Sequence, residues 1–277
     1  MSAPWRRTAG LAANKLRAIA TFSIEPRGPF TLASAARFID GWPPATGTTT
    51  EDKVELRFLV DDWSGPATVT FTQAGTTVHA TVEADHAERA FEQAQRVLSL
   101  DHDGTGYEAI EDPIVQELQQ ASGWLRPVLF HSPYESAAWA ILSTRTGYAQ
   151  AAAARDRLSR DGIFPSPPQL LEVQDGLQAT KLERLHGIAE AALAGKLDAE
   201  HLRSTPDPRA ELQDLPGIGP FWAALIHLRA VGPTDVVAEE PRLVKAVEAR
   251  YHRPLSDVSD GWRPFRTWVS VLIRANA

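Results

Sequence analysis

The chain contains no cysteine, which excludes disulfides, thiolate metal centres and a cysteine nucleophile and fits a reducing intracellular setting. Positive charge is also short: 28 Lys and Arg stand against 35 Asp and Glu, a formal net charge of -7. A chain of that sign has no global attraction for a polyanion, so nucleic-acid binding would have to come from a local basic patch. No apolar run approaches the roughly 20 residues that a membrane helix needs. In the opening MSAPWRRTAGLAANKLRAIATF, Asn14, Lys15 and Arg17 interrupt the run before a secretory core can form. Residues 1–18 are therefore expected to be a tail, and a soluble cytoplasmic protein is the expectation, nucleoid-associated if bacterial. Walker loop, GxSxG elbow and dinucleotide fingerprint are all missing, which removes the commonest nucleotide and hydrolase classes. No repeat of solenoid length occurs either.

What is present is enough for one large domain or two ordinary ones: 277 residues, 43% hydrophobic and 23% charged. From residue 19 to about 82 the hydrophobic pattern has period two. In KVELRFLV, Val54, Leu56, Phe58 and Val60 alternate with Glu55 and Arg57, as in a half-buried strand. The runs around Val69 and Phe71, and around Val78, Ala80 and Val82, repeat it, with Gly65-Pro66 and Gly75 as turns between them. An antiparallel meander is predicted, with helices over 32–39 and 86–98, the second carrying its apolar face on Ala87, Ala90, Phe91, Ala94, Val97 and Leu98.

The polar, turn-rich LDHDGTGYEAIEDP follows, and beyond it every strong segment has helical period. The predicted class is α+β: an antiparallel sheet domain with helices over 19–100, then an all-α region over 101–277. In HSPYESAAW, Ser132 is placed to cap a helix, Pro133 to occupy its first turn and Glu135 to close a capping box. That helix should run to about 158 with a break near 143–147, and further helices are expected near 168–173, 179–194 and 207–213. FPSPPQ, 164–169, reads as a short connector.

In ELQDLPGIGPFWAALIHLRAVG, residues 211–232, a helix should end near Gln213 and a second begin at Pro220, with the tight LPGIG between them. Gly217 and Gly219 let the backbone turn and approach a ligand, and N–H groups at the second helix start can hold a phosphate without reading sequence. Taken alone, the motif is equally a plain αα-hairpin in a bundle. Downstream, DVVAEEPRLVKAV, residues 235–247, reads as a helix opening at Pro241 with Glu239 and Glu240 at its N-terminus. Together these resemble the helix-hairpin-helix DNA glycosylase superfamily, most of all the 3-methyladenine DNA glycosylase II branch. The likeness extends from FSIEPRGPF at 22–30 to WRPFRTWVSVLIR at 262–274, with SPYESAAWAILS resembling the helix before the base-wedging loop and KLERLHGIAEAAL the helix after it.

The resemblance implies a monofunctional DNA glycosylase of base excision repair, which flips a damaged base out of the duplex and releases it to water. Arg145, within ILSTRTG, occupies the wedge position where a leucine is usual. Phe221 stands where strand-cutting members carry a Schiff-base lysine, so lyase activity is not expected. Counted without gaps from Pro216, the family's catalytic aspartate falls on Pro241, leaving Glu240, and next Glu239, as replacement carboxylates to stabilise the developing sugar cation. Gly217, Ile218 and Gly219, with Arg145, Lys181 and Lys245, are the implied DNA contacts; Phe221, Trp222 and Trp139 are candidates for the base pocket. Arg274 and Leu225 replace aromatic residues expected there. No cofactor is required, although the backbone carbonyls of Gln213, Leu215 and Ile218 are candidates to hold a structural monovalent or divalent ion. The implied partner is double-stranded DNA with a damaged base, bound by a monomer, with no membrane involved.

Other readings of the same residues stay open. Glu239 and Glu240 also complement the helix dipole, or pair with Arg242 or another basic neighbour. Aromatics on apolar helix faces are also core, and Trp262 and Trp268 are read as packing. His102 between Asp101 and Asp103 looks metal-like but is as readily a capped turn, while His131 and His186 read as structural. With the usual aspartate absent, the rival function is a lesion-binding protein that does not cut, and a third is a helical scaffold for protein partners.

Overall fold

A computed structural model of the chain describes residues 19–40, 42, 47–50 and 52–277; the expected tail, 1–18, lies outside them. Strands β1 (Ile19–Ile24), β2 (Gly47–Thr50), β3 (Lys53–Leu59), β4 (Pro66–Ala74) and β5 (Thr77–Glu83) form one antiparallel sheet in the order β1-β5-β4-β3-β2. Its register follows the alternation in the sequence: Val54 lies opposite Phe71, Leu56 opposite Val69, and Phe71 opposite Ala80, all buried on one face. That face is covered by α1 (Leu32–Ile39) and α2 (Ala87–Val97), whose Leu32, Ile39, Ala90 and Val97 complete the core. The short β2, Gly47 followed by three threonines, is an edge strand that no apolar alternation announces.

The helices that follow are α3 (Pro113–Ser122), α4 (Pro133–Ser143), α5 (Tyr148–Leu158), α6 (Pro167–Leu171), α7 (Ala179–Leu193), α8 (Ala199–Ser204), α9 (Pro208–Gln213), α10 (Pro220–Ile226), α11 (Pro241–Tyr251), α12 (Leu255–Val258) and α13 (Arg266–Ala275). Six of them open on proline, whose fixed φ and missing N–H suit the first helical position, so proline dictates where these helices start. They form two groups. One packs around Ile141, Leu185, Ile188, Leu212 and Ile226; the other, built from α3 and α11 to α13, buries Trp262 and Trp268 as predicted.

Two expectations need correction. FPSPPQ is not wholly a connector, because Ser166 and Gln169 cap α6, which begins at Pro167. At α4, Ser132 Oγ does accept the Glu135 N–H at 3.1 Å, but the Glu135 carboxylate does not return to the cap. Instead Glu135 Oε2 lies 3.1 Å from Arg155 Nη2 and 3.5 Å from His131 Nδ1, all three side chains being buried. A cation within reach outcompetes a backbone N–H for a buried carboxylate. Burial raises the Glu135 pKa, but His131 and Arg155 outweigh it and hold the carboxyl below its ordinary value. A folded value below the unfolded one stabilises the protein above the unfolded carboxyl range and is lost as pH falls through the folded value. Glu135→Gln should therefore flatten the acid side of the stability-versus-pH curve measured by urea unfolding.

Arg126, 2% exposed, joins the sheet region to the helical group that buries Trp268. It donates through Nε to Pro29 O, through Nη1 to Ser99 O and His102 O, and through Nη2 to Arg27 O and Gly28 O. Its guanidinium lies 4.9 Å from the Trp268 ring centre. Removing it orphans several buried carbonyls at once, each costing about 1–3 kcal/mol. Arg126→Met should lower the unfolding free energy by more than about 3 kcal/mol in a urea titration.

Candidate active site

Residues 214–219 form a tight loop between α9 and α10. Leu215 and Ile218 are buried and the Ile218 N–H donates to Leu215 O at 3.1 Å, which pins the loop and leaves Pro216 and Gly217 outside. Gly217 has φ +84°, and a Cβ there would lie 2.7 Å from Arg184 Cδ and 3.0 Å from Ile141 Cδ1. Both the backbone conformation and the space demand glycine. From the other side α7 abuts the loop so closely that a Cβ on Gly187 would lie 2.5 Å from Pro216 Cγ.

The segment leading to α11 is held at several points. Asp235 accepts from Arg266 Nε at 2.7 Å and Arg263 Nη1 at 2.8 Å. The Val236 N–H donates to Thr267 Oγ1, which donates in turn to Val236 O. Arg209, on α9, donates to Val237 O at 3.3 Å. These bonds deliver Glu239 and Glu240, just beyond Ala238, to a fixed place between α9 and α13. Glu240 is the N-cap of α11: its Oε2 accepts the Leu243 N–H at 2.9 Å and lies 3.3 Å from Arg274 Nε. Pro241 is the first helical residue. Glu239 is exposed.

A cleft of about 1520 Å³ opens beside these carboxylates, bounded by α1, α4, α10, α11 and α13. It draws in Trp139, Phe221, Trp222, Glu239 and Glu240, so five of the sequence-predicted site residues share one wall system. Trp139 is 7% exposed and meets Tyr148 edge to face, whereas Phe221 is 48% exposed and meets Trp222 edge to face. Five arginines line the same cleft, Arg37, Arg209, Arg229, Arg242 and Arg274, against the acids Asp40, Glu239 and Glu240. A chain of net charge -7 thus carries the local cationic surface that polyanion binding requires.

The other predicted residues lie apart from that lining. Arg145 sits exposed at the α4–α5 turn with φ +53°. Lys181 does not project freely: its Nζ donates to Leu142 O at 2.6 Å and to Thr146 Oγ1, tying this turn to α7, and burial lowers its pKa. Lys245 is exposed on α11, and Gly217, Ile218 and Gly219 belong to the 214–219 loop, as do Leu215 and the end of α9 at Gln213. Of the remaining candidates, Asp103 Oδ1 accepts the Thr105 N–H in a turn, and among the described residues no group of three His, Asp or Glu is arranged for a metal. Arg37, Trp42, Arg209 and Arg229 were not predicted. Arg37 and Trp42 come from the sheet region and face the cleft only through tertiary packing. Arg229 lies in a π-helical turn, His227–Val231, that continues α10; such turns cluster at functional sites, but nothing local in IHLRAVG announces one.

No protein-family model and no curated protein matches the chain. Solved structures do, and the fold is that of the helix-hairpin-helix DNA glycosylases. The 3-methyladenine DNA glycosylase from Archaeoglobus fulgidus is similar with a TM-score of 0.70 at 18% identity, over 92% of this chain and 97% of that one. MBOgg1, in complex with a low-affinity DNA ligand, gives 0.57 at 15% identity over 84% and 98%. The 8-oxoguanine glycosylase/lyase from Clostridium acetobutylicum gives 0.54 at 17% identity over 83% and 96%.

The two glutamates should separate in a stability measurement. Glu240→Ala removes a cap and an ion pair and should cost about 1 kcal/mol, whereas Glu239→Ala should stay within about 0.5 kcal/mol, both read by urea unfolding.

Proposed function

We propose that this protein is a monofunctional DNA N-glycosylase of base excision repair, flipping a damaged base into the arginine-lined cleft and releasing it to water. The observation that carries the reading is the placing of two carboxylates, fixed by the Asp235 and Thr267 bonds, on the wall of a cationic, aromatic cleft. The family resemblance points to alkylated or otherwise labile bases. In this reading the all-α region carries the chemistry, and the sheet region, ending near residue 100, lends Arg37 and Trp42 to the cleft.

The C1′–N bond breaks with its electron pair leaving on the base, and the sugar becomes cationic. Glu240 has one oxygen committed to Leu243 and Arg274; Oε1 is free to stabilise that cation. Water then adds to C1′ and gives up a proton, to the departing base where that base leaves as an anion and to solvent where a cationic alkylated base leaves neutral. Phe221 cannot form a Schiff base, so the strand stays whole. The 217–219 backbone grips a phosphate, Lys245 adds charge, and Arg145, from a turn held by Lys181, fills the space the base leaves. A structural ion on the carbonyls of Gln213, Leu215 and Ile218 would brace the grip without entering the chemistry.

A second reading, lesion binding without cleavage, is favoured by the double use of Glu240 Oε2 as cap and ion-pair partner, which explains the residue without catalysis. Incubation with duplex DNA carrying methylated, oxidised or deaminated bases, scoring free base and abasic sites, separates the two. Glycosylase action predicts release that falls on the order of 100-fold in Glu240→Gln, with a smaller loss in Glu239→Gln. Binding without release supports the second reading, and release unchanged in both variants removes the carboxylates from the mechanism. Duplex affinity should fall steeply with salt, because several cations displace counterions together; no binding even at low salt would leave only a scaffold role.

A further inference from the structure

Two partly or fully buried arginines in this protein are treated very differently. Arg126 spends every donor group on backbone carbonyls. Arg229, on the cleft wall, donates only through Nη2 to Val128 O at 2.8 Å, and its buried Nε has no partner among the described residues. No carboxylate pairs with it there; its guanidinium lies over the rings of Trp42, at 4.6 Å, and Phe38, at 5.2 Å. A buried polar group left unpaired is costly unless something else completes it.

Arg274, on the same cleft wall, adds a second guanidinium whose charge acts on Arg229: burial first, and then Arg274, pull the Arg229 pKa down to about 10. The one partly buried acid of the cleft, Glu240, is already paired with Arg274. Asp40 and Glu239 are exposed, so water screens them.

A cationic N-alkylpurine is drawn to bare aromatic faces and unpaired carboxylates. Here Arg229 covers a face of Trp42, the inner acid already shares its charge with Arg274 through Oε2, and two guanidinium groups repel a further positive charge. A neutral base that carries a carbonyl meets the opposite situation, since guanidinium donors match such lone pairs, as they do O6 and N7 of guanine.

Building on the glycosylase or lesion-binding reading of this cleft, we infer that it selects a neutral, carbonyl-bearing damaged base, such as an oxidised or deaminated purine, over a cationic alkylated one, with Arg229 as the residue that reads the carbonyl. Nε is enclosed and Nη2 is spent on Val128, so Nη1, which makes no hydrogen bond among the described residues, is the donor left for the base edge, and Arg274 acts as the gate against positive charge.

The test is fluorescence anisotropy of the full-length protein on duplexes carrying 7-methylguanine, 8-oxoguanine, hypoxanthine or guanine opposite cytosine, with 2′-fluoro sugars at the lesion to block release. The two neutral lesions should bind at least roughly tenfold tighter than 7-methylguanine. Arg229→Leu should erase that preference, with thermal unfolding reporting whether the variant is folded. Arg274→Trp, at a side chain 38% exposed and so tolerant of change, should shift it toward 7-methylguanine. Tightest wild-type binding to 7-methylguanine, or a preference that Arg274→Trp and a folded Arg229→Leu both leave unmoved, overturns the inference while the DNA reading stands. Failure to bind any duplex at low salt overturns both.

Discussion

The fold depends on one buried guanidinium. Three parts of the chain far apart in sequence, at 27–29, 99–102 and 268, come together because Arg126 needs their carbonyls and the face of Trp268. Burial lowers its pKa to about 10, still far above neutrality, so the charge must be met by dipoles from several directions at once. That requirement couples the sheet to the C-terminal helix more specifically than apolar packing does, since hydrophobic contact has no preferred direction. Gly104 is part of the same constraint: a Cβ there would lie 2.6 Å from Arg126 Nη2.

From that junction the cleft acquires its chemistry. The same sheet region that Arg126 anchors presents Arg37, Phe38 and Trp42 to the helices, so cation and aromatic surface reach the cleft from outside the helical region. A net charge of -7 becomes compatible with binding a polyanion because the excess acid lies elsewhere. Long-range repulsion is offset by a local field, which a cleft with low-dielectric walls concentrates.

Much of this was legible in the sequence, for identifiable reasons. The strands alternate cleanly, so β3, β4 and β5 and the burial of Val54, Leu56, Phe58, Val69 and Phe71 follow from period two. Proline at the first helical position marked α4, α10 and α11, and the 143–147 break between α4 and α5 appears where predicted. The carboxylates and three aromatics of the cleft were also within reach, because they flank motifs with a local signature. Arg229 and Arg37 were not: an isolated arginine on a helix face reads as solvent-exposed, tertiary packing turns Arg229 inward, and Arg37, itself exposed, reaches the cleft rim only because the sheet region packs there. The Glu135 box misled for the same reason: Ser132 and Glu135 have the right spacing, but Arg155 and His131 arrive from outside the four-residue window.

An acid at the N-cap rather than inside the first helical turn has a geometric consequence. At the N-cap the backbone is extended, with φ -80° and ψ 129° for Glu240, and the side chain turns back over the exposed N–H groups of the first turn. A carboxylate there is drawn into capping, and a short one would give its whole reach to the helix. Glutamate, longer by one methylene, caps Leu243 and meets Arg274 through Oε2 while Oε1 remains uncommitted. The arginine at 274 belongs to the same arrangement, because a partly buried acid beside an apolar cleft wall needs a counter-charge. Glu240 and Arg274 are therefore best understood as one unit, in which cap and counter-charge hold the carboxylate in place together.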